Sequence, residues 1–102
     1  MNDEQLRSYK PTAEEIRALK KATADIPPGI PVARLRLHRP MQVPGKQADD
    51  SIKAETLPNG RRWTIEFVPQ IRHHRITYYD DRRGEPEVGY VHESHVLTFW
   101  PA

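Results

Sequence analysis

In three stretches between residues 33 and 79, apolar side chains fall on every second position, and that period constrains the chain more than any other feature. Ala33, Leu35 and Leu37 alternate with Arg34, Arg36 and His38. Trp63, Ile65 and Phe67 alternate with Arg62, Thr64 and Glu66. His74, Ile76 and Tyr78 alternate with His73, Arg75, Thr77 and Tyr79. Neighbouring residues of a strand point to opposite faces, so this period describes strands with one covered face and one wet face. The wet faces carry arginine.

Strand-ending residues divide these stretches. Pro40 closes the first, and Pro58-Asn59-Gly60 supplies the Asn-Gly dipeptide favoured in tight hairpins. Pro69-Gln70 breaks the next stretch. Residues 52–57 read as a short strand. Residues 88–91 and 96–100 read as two more, separated by His92-Glu93-Ser94-His95, after a polar connection at 80–86. Residues 40–51 hold Pro44, Gly45, Lys46, Asp49 and Asp50 with little to bury, and are expected to form a mobile docking loop.

Ahead of the strands, Thr12-Ala13-Glu14-Glu15 is a capping box, followed by Ile16, Leu19, Thr23 and Ile26 at helical spacing. Pro27-Pro28-Gly29 ends this helix, expected over 12–26, and residues 1–10 are expected to fray. The expected fold is a single α+β domain over 1–102. One N-terminal helix packs on a five- or six-stranded, mainly antiparallel sheet, with a meander over 52–100.

The segment Gly89-Tyr90-Val91-His92-Glu93-Ser94-His95-Val96 resembles the closing segment of SH3-like small barrels: strand, single 3₁₀ turn, final strand. That resemblance implies a sheet curled into a small barrel. It carries no function, because His92 and His95 stand where that family has its peptide-binding proline and tyrosine.

With 102 residues, 36% of them apolar and ten of them proline, the core is assembled from few side chains. The chain has no cysteine, which excludes thiol catalysis and cysteine-based zinc sites and fits a reducing, cytoplasmic setting. Met1-Asn2-Asp3-Glu4 is polar with no apolar run behind it, so no signal peptide is expected, and no segment approaches the roughly 20 apolar residues of a membrane span.

Charge is uneven. Residues 1–30 carry five basic and five acidic side chains, whereas residues 61–83 carry six arginines against Glu66, Asp80 and Asp81. From Gly84 onward there are three glutamates and no lysine or arginine. Arginine's planar fork suits phosphate, carboxylate and stacked partners. The candidate partner-binding residues are therefore Arg34, Arg36, Arg61, Arg62, Arg72, His73, Arg75 and Tyr79.

Basic side chains interleaved with aromatics also suit nucleic acid. In composition alone this arrangement is similar to small bacterial toxins that cleave messenger RNA on the ribosome; no catalytic residue aligns with that family. A metal-dependent enzyme would need His92 and His95 on one side of a turn, with His73 or His74 as a third ligand. Asp49-Asp50 and Asp80-Asp81 read as turn formers. Ser8, Ser51 and Ser94 lie in no nucleophile elbow, and five scattered glycines build no phosphate loop.

Residues 96–100 are apolar on both faces, as suits either a central strand or a partner surface, including one for a second copy. The sequence thus points to a non-catalytic interaction protein without a cofactor. It engages another protein through the arginine face or the C-terminal strand. Nucleic-acid binding and metal-dependent catalysis are the alternatives.

Overall fold

The computed structural model describes residues 12–22 and 29–102. Among these residues there are one helix, α1 (Ala13–Ala22), and seven strands: β1 (Ile30–Val43), β2 (Lys46–Lys53), β3 (Glu55–Thr56), β4 (Arg62–Val68), β5 (His73–Tyr79), β6 (Glu87–His92) and β7 (Val96–Pro101). All pair antiparallel in one sheet, in the order β2-β1-β4-β5-β6, with β3 on β4 and β7 on β1. The sheet curls into a half-barrel.

The period-two stretches fold as their pattern dictates. Trp63 and Ile65 of β4 and His74, Ile76 and Tyr78 of β5 are buried. The two strands pair without interruption from Arg62↔Tyr79 to Val68↔His73. At the predicted turn, Gly60 takes a φ of 84°, its N–H donates to the Leu57 carbonyl at 3.1 Å, and the Leu57 N–H donates to Arg61 at 2.7 Å. Pro69–Ile71 form a 3₁₀ turn whose exit, Arg72, is left-handed with φ 57°. A further 3₁₀ turn, Glu93–His95, joins β6 to β7. Residues 87–101 therefore follow the strand, turn, strand order expected of the closing segment.

β1 organises the rest. Along one edge it pairs first with β4 (Val32↔Ile65) and then with β2 (Leu35↔Ile52), and along the other it pairs with β7 (Val32↔Pro101, Leu35↔Phe99). Val32, Leu35, Leu37, Met41 and Val43 all enter the core with Ile52, Trp63, Ile65, Ile76, Tyr78 and Val91. Each fully buried aliphatic side chain of this kind stabilises by roughly 1.5–3 kcal/mol.

Several expectations are corrected. Residues 40–51 are not a loop: β1 runs through Pro40 to Val43, turns at Pro44-Gly45 and returns as β2. Pro40 lies where the β1–β2 register shifts, between Arg36↔Ser51 and Met41↔Asp49, so its missing N–H interrupts no ladder bond. The turn is held from outside. The indole N–H of Trp63 donates to the Pro44 carbonyl at 2.8 Å, and Arg61 donates to the Gly45 carbonyl at 2.8 Å and to the Tyr78 hydroxyl at 2.7 Å.

Among the described residues the strands number seven rather than five or six, and the meander runs β3-β4-β5-β6 and ends there, since β7 returns to β1. The described helix is a short piece of 10 residues, and the expected packing of an N-terminal helix on the sheet is not supported. Its neighbour is β6, and among the described residues the core is built from strands alone. Its cap forms as expected at the threonine, with the Glu15 N–H donating to Thr12 Oγ1 at 3.1 Å. The Glu15 carboxylate reaches back as well, accepting from the threonine hydroxyl at 3.3 Å. Residues 1–10 and 23–26 lie outside the described residues.

Candidate interaction site

The sheet does not gather the predicted arginines into one free patch. On the outer face, Arg75 is paired with Glu66, whose other oxygen accepts the Gly29 N–H at 2.9 Å. Arg72 is paired with Glu93 at 2.5 Å, Arg36 lies 3.7 Å from Asp50, and Arg61 braces the β1–β2 turn. Arg62 lies over the ring of its cross-strand partner Tyr79, 4.0 Å from the centroid. Arg34 lies over the ring of Trp100, 3.8 Å from the centroid, with Lys53 across on β2. Arg34 and Arg36 thus belong to the β2-β1-β7 part of the sheet, and the remaining predicted residues to β4 and β5 or to the segments leading into them.

The histidines divide in the same way. His73 and His92 are cross-strand partners whose rings meet edge-on, 4.8 Å between centroids. The His73 Nδ1 contacts the Ile71 carbonyl at 2.6 Å. A carbonyl only accepts, so this nitrogen carries the proton. The His92 Nδ1 accepts from the Ser94 N–H at 3.1 Å. His74 points to the opposite face from His73, and His95 is buried in the 3₁₀ turn. Among the described residues no group of three histidine or carboxylate side chains is placed to hold a metal ion. Burial lowers the pKa values of His73 and His95 and takes that of His74 down to about 4.

Of the two aspartate pairs expected to form turns, Asp49-Asp50 lies within β2 and only Asp80-Asp81 lies in a connection. Asp80 accepts from the Arg82 N–H at 3.0 Å and from the Tyr78 hydroxyl at 3.1 Å. Arg82's backbone and side-chain hydrogen bonds take the Asp80 carboxyl down to about 2.

What the arrangement does expose is β7. Among the described residues it pairs with β1 alone, leaving its other edge open. It also carries Leu97, Phe99 and Trp100, which are 58%, 37% and 39% exposed. Beside it lies a cleft of about 310 Å³ lined by Phe67, His74, Glu93, Val96, Leu97, Thr98 and Phe99. Phe67, His74 and Phe99 come from three strands, and their ring centroids lie 4.7 to 5.8 Å apart. Sequence reasoning singled out the C-terminal strand through its apolar residues on both faces. It missed the cleft, because only the return of β7 to β1 brings Phe99 to Phe67 and His74. No family model matches the chain, and no curated protein and no solved structure matches it either.

Proposed function

We propose that this protein is a non-catalytic interaction module that docks a partner protein along β7. The observation that supports this is the coincidence of an open strand edge with three of the four large exposed hydrophobic side chains among the described residues, Leu97, Phe99 and Trp100. An open edge offers backbone donors and acceptors for an added strand, and apolar side chains on both of its faces supply the burial that makes such an addition favourable. The arginines fit this reading as flanking structure, since most are engaged by carboxylates or rings of the same chain.

Affinity capture from the native cell tests this directly. The wild type is expected to retain a partner that Leu97→Lys and Trp100→Glu both lose, with unchanged circular dichroism. A partner held equally by both variants, and lost instead by Arg72→Ala with Arg75→Ala, would move the surface to the arginine face.

Nucleic-acid binding is the second reading, favoured by Arg34 stacked on exposed Trp100 beside Lys53. Affinity for a single-stranded oligonucleotide would then fall steeply with salt and with Arg34→Ala. Binding that is absent at micromolar protein in low salt removes this reading.

A further inference from the structure

Strand pairing gives the β2-β1-β7 part of the sheet an outer face with a chemistry of its own. Lys53, Arg34 and Trp100 are cross-strand partners in one row, and Ser51, Arg36 and Thr98 in the next. Between the rows lie Ile52, Leu35 and Phe99. Ile52 and Leu35 are fully buried, so alternation turns both flanking rows to the opposite face. Lys53, Arg34, Arg36, Thr98 and Trp100 are exposed there, as is His38 two residues beyond Arg36. We propose that this face binds single-stranded nucleic acid, with an unpaired base stacked on the Arg34–Trp100 pair and phosphates held by Arg36 and Lys53. The proposal rests on the nucleic-acid reading and assigns its site, its strandedness and the role of each residue.

Three observations converge on this guest. The first is charge, since Lys53, Arg34 and Arg36 stand within two rows. Asp50 faces Arg36 across 3.7 Å in an exposed pair. Such a pair is weak, and a phosphate competes with it for the same guanidinium. The second is the ring. The Arg34 guanidinium lies over Trp100, 3.8 Å from the centroid. That contact restrains a long side chain, and its planar group offers a base a stacking surface beside the indole. The third is spacing. The two rows lie about 7 Å apart along β1, close to the length of one extended nucleotide.

A duplex is disfavoured. Its bases stack on one another and show only their edges in the grooves, so it offers phosphate to Arg36 and Lys53 and nothing to the ring. An acidic peptide likewise satisfies the cations and leaves Arg34 and Trp100 without a stacked guest.

The test is fluorescence anisotropy with a labelled oligothymidylate of about ten nucleotides, a duplex of equal length and a polyglutamate peptide of equal charge. The single strand should bind about tenfold more tightly than either comparison probe. Two phosphate contacts give a slope of about −1.4 in log affinity against log salt, a loss of about sevenfold between about 50 and 200 mM. Lys53→Gln should reduce that slope by about 0.7. Arg34→Lys keeps the charge and removes the planar group, so it should weaken the single strand about fivefold at an unchanged slope. Both positions are exposed, and unchanged circular dichroism checks the fold of each variant. Equal binding of the three probes, tighter binding of polyglutamate, or a single-strand affinity indifferent to Arg34→Lys overturns the proposal. If the single strand binds with steep salt dependence but is lost through Arg72→Ala with Arg75→Ala instead, the nucleic-acid reading stands and this site falls. If no probe binds at micromolar protein in low salt, both fall.

Discussion

Burial takes the His74 imidazole down to about 4, while Glu93 pulls weakly upward and His73 weakly downward. His73 and His95 shift in the same direction. In each case the unfolded chain binds a proton more readily than the folded one, so their contribution is complete above the ordinary histidine pKa of 6.5. It is lost as pH falls from there toward about 4. For His74 the loss is on the order of 3 kcal/mol. Urea midpoints measured from pH 7.5 to pH 4.5 should fall steadily. His74→Phe should flatten that slope, and an unchanged slope in the variant would contradict the assignment. Gly45 makes a second residue-level case. It holds a φ of 77°, and a Cβ there would meet the Tyr78 ring at 2.6 Å. Gly45→Ala should cost about 2–4 kcal/mol, combining a left-handed backbone with overpacking. At Gly84 an added Cβ would meet nothing within 4 Å, so Gly84→Ala should leave denaturation unchanged. That His74 faces inward was legible from its alternation with Ile76 and Tyr78. That nothing meets its Nδ1 was not, because its surroundings come from β4 and β7, and alternation along β5 says nothing about them.

At the level of elements, the strands most legible in sequence were those with uninterrupted alternation, β4 and β5. The β1–β2 hairpin was hidden by its composition: Pro40, Pro44 and two aspartates carry turn signals, and its apolar positions are few. Met41, Val43 and Ile52 nevertheless lie at 1%, 2% and 0% exposure. The register shift absorbs Pro40, and Arg61 and Trp63 clasp the turn from β4 and the residue before it, a long-range stabilisation that no local propensity encodes. Met41→Ala should therefore destabilise by about 2–4 kcal/mol, the cost of a core cavity. Gln47→Ala, at an exposed position of the same hairpin, should stay within about 0.5 kcal/mol. Equal, small effects of both would restore the reading of 40–51 as a loop. The helix shows the opposite relation. Its start was legible in Thr12 and Glu15, whose hydrogen bonds form. Its described part runs to Ala22, and its expected end at residue 26 lies outside the described residues.

At the scale of the molecule, strand order decides which surfaces are available, and strand order is where sequence reading ended. Local alternation is silent on whether the last strand pairs with its predecessor or returns to the first. Here it returns, so β1, β4 and β5 have neighbours on both sides, while β2, β3, β6 and β7 among the described residues have one. Amide hydrogen exchange should follow that order. The slowest amides are expected in the β4–β5 ladder and in residues 34–36 of β1, which lie between β2 and β7. The open edge of β7 should exchange faster, on its way to the low-stability end of the opening spectrum. The same experiment separates the edges of β2 and β7 by function. β2 carries Lys46, Asp49, Asp50 and Lys53, charges that discourage a second sheet from adding there. β7 carries no charge, and its side chains are apolar apart from Thr98. When a partner docks, β7 amides should gain protection by at least tenfold while those of β2 do not change. Protection that appears on β2, or spreads evenly over the sheet, would place the interface elsewhere and leave the apolar C-terminal strand without the role proposed for it.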